Sequence, residues 1–251
     1  MKHKKILIIS IFIAFLVLLV LGIVLIYKIN NKEESKEINL TFESRIKNIE
    51  ESNIEKNEIS GWIQVQGTNI DYPVTHNKFV RTIDDNDIEH TWEGDTITEG
   101  KNRRTIFGHN ILNISSKPKI ADPKHSRFEQ LMSFVDYKFA KNNLYIQFTN
   151  DGEDEIYKIF AVGFFDSTLE QGLCYDKSMM AYFISSAQEN SLYKYDIEVN
   201  EEDKIISLIT CTRYFGLYKN TQFRVDARKL RENEKIEKYR VEKTKKYDII
   251  K

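Results

Sequence analysis

Cysteine is nearly absent: only Cys174 and Cys211 occur in 251 residues. Two readings follow, a single disulfide in an oxidising compartment or one ordinary thiol and one working thiol. No close Cys/His ligand pair accompanies either residue, which argues against a zinc site, and neither a metal nor a cofactor is expected. An excess of charge is lacking too. The 37 basic and 38 acidic side chains leave a net charge of −1, so nothing in the bulk composition points to nucleic acid as a partner. Proline is scarce, with 3 residues, and no internal repeat is visible. The length gives one good domain with appendages and little room for a second. What the chain does have is aromatic side chains, 13 Tyr and 15 Phe, enough for a real core and too many for a disordered chain.

The one long apolar run is Ile6 to Tyr27, free of charge throughout. At about 1.5 Å per residue it spans roughly 33 Å, the thickness of a hydrocarbon core. Lys2, Lys4 and Lys5 precede it, which predicts a cytoplasmic N-terminus, a single-pass anchor within residues 1–29 and everything beyond outside the membrane. The run is longer than a signal core, and no small-x-small cleavage pattern follows it. Residues 30–60 read as a linker and an amphipathic helix carrying Phe42, Ile46 and Ile49. Short alternating runs then fill residues 61–230. They include strands at Asn143–Thr149 and Glu155–Phe165, a helix at Asp176–Glu189 and further strands on either side of Lys204. Residues Thr75–Asn102 read as loop, with His76, His90 and His125 solvated. The charge-dense tail, 231–251, reads as frayed or disordered. Many short strands and few helices predict a mostly β fold, a closed antiparallel or mixed barrel with peripheral helices and the N-terminal transmembrane helix, and exclude a doubly wound parallel sheet.

Three strand ends carry the chemistry. KIISLITC (Lys204–Cys211) has two apolar faces and ends on a thiol, so it reads as a buried strand aiming Cys211 at a rim. TQFRVDARKL (Thr221–Leu230) alternates Phe223, Val225 and Ala227 against Gln222, Arg224, Asp226 and Arg228, a half-buried strand with a cationic face. IFGHN (Ile106–Asn110) ends a third strand on His109. Cysteine, histidine and arginine so placed are the parts of a thiol acyl-transfer site. Cys211 attacks a peptide carbonyl, His109 protonates the departing amine, and Arg224 holds the oxyanion. Cys174 is left as a structural thiol.

These residues resemble the sortases, membrane-anchored cysteine transpeptidases of Gram-positive bacteria. SLITC is close to the family's Thr-Leu-x-Thr-Cys, with Ser207 for the first Thr; GHN matches its histidine segment; an arginine follows on the next strand. The amphipathic helix and GWIQVQGTNIDYPV resemble class B in particular, and the resemblance runs from about Ile38 to Leu230. It implies a pentapeptide sorting signal of the Pro-x-Thr kind near the C-terminus of secreted proteins, and an acceptor amine on a cell-wall peptide or a pilin. It also implies a substrate site lined by Ser207, Leu208, Thr210, Asn110 and Gln222. Two positions depart from the pattern. Aligning the run Arg-Phe-Val-Val puts Gln222 where the arginine belongs, leaving Arg224 two residues on, and Arg213 stands where an acidic residue is common. Two rivals remain. One is a papain-type cysteine hydrolase, which would carry its cysteine before its histidine; the other is a catalytically impaired, membrane-tethered binding module.

Overall fold

The computed structural model describes residues 16–22, 40–52, 59–76, 91–93, 102–150, 152–166, 176–217 and 221–250. The chain divides after Glu37. Of the first unit only residues 16–22 are described, and they are helical with exposed apolar side chains. Among the described residues no helix is long and apolar enough to cross a membrane, and the remainder of the expected span lies outside them.

In the second unit, period-two alternation of apolar residues produces a strongly curled sheet. Its strands are β1 (Ile59–Val65), β2 (Asp71–His76), β3 (Thr91–Glu93), β4 (Arg103–Gly108), β5 (Tyr145–Asn150), β6 (Glu153–Asp166), β8 (Ile205–Cys211) and β9 (Thr221–Lys229). Pairing runs β1-β2-β3-β4-β8-β9-β6-β5, and β5 returns to β1. The ring is thin at β3, where three residues face β2 and two face β4. The β2–β3 and β4–β8 pairs are parallel and the others antiparallel. The expected mostly β architecture with peripheral helices is therefore present. Strand β3 falls where the sequence suggested only loop.

Central β8 is buried on both faces, as its double apolar pattern predicts. Ile206 and Leu208 join Ile63, Phe148 and Val225 in the interior, while Ile205 joins a second cluster outside the sheet. That cluster is sealed by the helix Lys177–Asn190, whose Met180, Phe183, Ile184 and Ala187 pack on Phe160 and Ala161. Asp176 caps it, accepting from the Met179 N–H at 2.9 Å. The expected amphipathic helix near residue 42 is shorter in the described chain, Ile46–Glu51.

Two expectations are corrected here. Strand β9 is not half-buried, because Phe223 through Arg228 are all enclosed. The tail is not frayed either. Strand β10 (Val241–Lys243) pairs with β7 (Tyr193–Tyr195) in a small second sheet, and Tyr247 packs its ring on Tyr193 at 5.5 Å. Tyr145 donates to the Glu237 carbonyl at 2.6 Å, and Glu234 grips the buried Arg228 through both carboxylate oxygens at 2.5 and 2.6 Å. Apolar and aromatic residues spaced too widely to show a period still anchor the segment once a barrel supplies the partners.

Candidate active site

The site forms where parallel β4 and β8 end together. The last register pair is Gly108 with Thr210, so the next residues, His109 and Cys211, leave adjacent strand ends about 4.8 Å apart in the sheet direction. Both are exposed, and Cys211 is a free thiol. Gly108 matters sterically: a Cβ there would lie 2.2 Å from the Phe128 ring. That ring's own residue holds the histidine in turn, the Phe128 N–H donating to the His109 carbonyl at 3.0 Å.

Four of the residues expected to line a substrate site, Thr210, Asn110, Leu208 and Ser207, are buried, and three of them fasten neighbouring groups. Thr210 Oγ1 donates to the Gly108 carbonyl at 2.7 Å, clamping the two strand ends. Asn110, buried behind His109, donates to the Cys211 carbonyl at 3.1 Å and accepts from Asn113 N–H at 3.0 Å. Leu208 points into the barrel core. Ser207 is wholly buried on the other face; its hydroxyl accepts from Arg103 Nε at 3.0 Å and donates to Asp226 Oδ1 at 2.7 Å. All four side chains are buried beneath the surface.

Arg224 lies on the same side of the sheet as the thiol but is not displayed there. It is only 4% exposed. Its Nε donates to Asp226 Oδ2 at 2.8 Å, and its guanidinium carbon sits 3.5 Å from the centroid of Phe165 and 4.9 Å from that of Phe183. The residue paired directly with Cys211 across β8 and β9 is Gln222, half-buried at the open end of the strand. A neutral amide thus stands across from the thiol, and the guanidinium two residues further along β9 is enclosed. Arg213 is exposed just beyond Cys211, its backbone N–H donating to the Ile114 carbonyl at 2.7 Å.

Sequence reading missed the base of the histidine loop. Glu129 is buried, and its Oε1 accepts from the N–H groups of Ile111 at 3.2 Å and Leu112 at 2.7 Å. Asn113 Nδ2 donates to the Glu129 carbonyl at 2.9 Å and also to the Lys119 carbonyl at 3.0 Å. His125, expected in solvent, is buried, its carbonyl accepting from Asn69 Nδ2. No linear motif announces these bonds, because each joins a side chain to backbone brought near only by the fold. His76 and His90 offer no comparison, since the first's side chain and the whole of the second lie outside the described residues. Cys174 lies outside them as well. Among the described residues no group of His, Cys, Asp and Glu could hold a metal ion.

No protein-family model matches the chain, and no curated protein sequence matches it. Solved structures do. Sortase B of Clostridium perfringens superposes with a TM-score of 0.57 at 23% identity, covering 74% of this chain and 99% of that one. Sortase B of Staphylococcus aureus gives 0.56 at 19% identity, over 74% of this chain and 86% of its own. Sortase B from the type II pilus of Streptococcus pneumoniae gives 0.53 at 23% identity, over 68% and 92%. The chain has a sortase-like fold.

Proposed function

We propose that the chain is a cysteine transpeptidase of the sortase type, held at the membrane by residues 1–29 with its catalytic unit outside. The observation that carries this reading is the exposed, free Cys211 leaving β8 beside His109 leaving β4, with Thr210 and Asn110 tying the two ends together. The sortase-like fold supports it. The thiolate adds to a substrate carbonyl, the tetrahedral oxyanion collapses, and His109 gives its proton to the departing amine, leaving a thioester on Cys211. An acceptor amine then adds to the thioester and expels the thiol, so one amide is broken and one is made. In this reading Gln222, paired with Cys211 across β8 and β9, donates its side-chain N–H to the oxyanion. The substrates in this reading are secreted proteins with a C-terminal sorting signal, and the acceptor is an amine of a cell-wall peptide or a pilin. Among the similar structures, a sortase B complexed with triglycine is consistent with an amine-bearing peptide as acceptor.

The test is to incubate the full chain in detergent with a pool of sorting-signal peptides and an amine, followed by intact-protein mass spectrometry. A thioester on Cys211, absent in Cys211→Ala, with ligated product when amine is present, is the expected result. One observation favours a second reading, an impaired binding module: the family's arginine position holds Gln222, and Arg224 is enclosed. In that case Cys211 gives no adduct with any peptide and reacts with iodoacetamide no faster than a simple peptide thiol.

A further inference from the structure

Large apolar side chains are exposed at few places in the unit Ile38–Lys251, and five of the eight described ones sit on two segments: Ile111, Leu112 and Ile120 on one, Phe215 and Leu217 on the other. These segments are stitched together. The Arg213 N–H donates to the Ile114 carbonyl at 2.7 Å, Asn110 Nδ2 to the Cys211 carbonyl at 3.1 Å, and Asn113 exchanges bonds with Lys119 at 2.8 and 3.0 Å. The buried Glu129 carboxylate fixes the backbone of Ile111 and Leu112 from below. Leu112 is therefore held outward, 71% exposed, by a fastened backbone, and Leu217 is 67% exposed. The same two segments carry exposed Lys117, Lys119, Lys124 and Arg213 against the single carboxylate of Asp122. That local excess contrasts with a chain whose net charge is −1.

We propose that this surface rests on an anionic lipid bilayer, the five apolar side chains entering the boundary between headgroups and acyl chains and the four cations meeting lipid phosphates. Apolar side chains ringed by Lys and Arg are the composition of interfacial membrane surfaces, which sink about 5–10 Å into that boundary. A peptide would need walls, and side chains as open as Leu112 and Leu217 project instead of lining a groove. A second copy docked symmetrically would set like charges against each other. The inference stands on this surface and not on the transfer chemistry.

The test reconstitutes the full chain into vesicles of phosphatidylcholine with phosphatidylglycerol, part of the lipid brominated on its acyl chains. Tryptophan is introduced as Leu112→Trp or Leu217→Trp, with Tyr182→Trp, 77% exposed on the helix Lys177–Asn190, as the control; the native Trp62 and Trp92 set the background. The proposal expects bromine quenching of both rim tryptophans and none of the control. It also expects quenching to fall by at least about half when phosphatidylglycerol is omitted, or when Lys117, Lys119 and Arg213 are changed to Glu together. A chain that floats with the vesicles but shows rim quenching no greater than the control overturns the surface and leaves the anchor standing. A chain that does not float overturns both. Shielding of the rim tryptophans by added peptide, or by concentrating the protein without lipid, in place of bromine quenching, overturns the proposal in favour of a peptide or a second copy.

Discussion

Replacing Arg224 by methionine should cost stability and spare the chemistry. In the native chain Asp226 is wholly buried and accepts two bonds, from Arg224 Nε at 2.8 Å and Ser207 Oγ at 2.7 Å. Methionine keeps apolar contact with Phe165 and Phe183 but leaves the carboxylate facing one hydroxyl. Breaking a buried ion pair by removing one partner costs about 3–5 kcal/mol. Arg103, one hydroxyl away through Ser207, still offers the carboxylate some compensation, so the lower end applies, about 3 kcal/mol. For a unit of this size that lowers the melting temperature by roughly 6–12 °C. Arg224→Met/Asp226→Asn removes the stranded charge and should recover at least about half of the loss. Acylation of Cys211 by a signal peptide, measured in a single turnover at a temperature where both proteins are folded, should stay within about threefold of the parent. The guanidinium is enclosed and stacked, so the oxyanion does not meet it. An unchanged melt with acylation down about a hundredfold, the size of a lost oxyanion donor, would refute this reasoning and restore Arg224 to the site.

Gln222→Ala should show the opposite split, with stability kept and acylation down about a hundredfold. Gln222→Arg places a cation across from Cys211 and should move the pH midpoint of iodoacetamide reaction downward relative to the parent, since a neighbouring cation favours thiolate. Gly108→Ala drives a methyl into the Phe128 ring, which should cost about 1–3 kcal/mol in denaturant unfolding and lower acylation through the displaced His109. The Arg228 guanidinium holds the Glu234 carboxyl down at about 2. A carboxyl with a depressed native pKa adds stability that is complete above its unfolded value, about 4.5, and lost as pH falls toward 2. Hydrogen-exchange protection of the tail, corrected for the intrinsic acid and base rates, should therefore fall across that window in the parent. Glu234→Gln should already be less protected at neutral pH and change little across the window.

Strand β8 is legible in the sequence because its pattern is apolar on both faces, and only a central strand satisfies that. The adjacency of His109 and Cys211 is legible because both end strands and lie on short motifs that resemble those of the sortases. Depth is not legible. Alternation assigns Gln222, Arg224, Asp226 and Arg228 to one face of β9 and says nothing of what covers it. The fold covers it unevenly. Phe183 on the helix Lys177–Asn190 closes over Arg224, Glu234 from the tail closes over Arg228, and only Gln222 stays near the mouth. The order of the tail is hidden for the same reason, since Tyr145 and Tyr193 become its partners only after the barrel has formed.

The uneven cover bears directly on whether Arg224 can reach the thiol. Had the outer face of β9 been open along its length, a guanidinium two residues below Gln222 could swing to the thiol and serve in its place. Phe165 and Asp226 prevent that, holding the Arg224 side chain by its ring face and by its Nε. The prediction for Arg224→Met follows from that enclosure: Gln222 has to act without help from two residues further along the strand. Either a neutral amide serves the oxyanion, and acylation falls about a hundredfold in Gln222→Ala, or the site only binds, and Gln222→Ala changes nothing that Cys211 does.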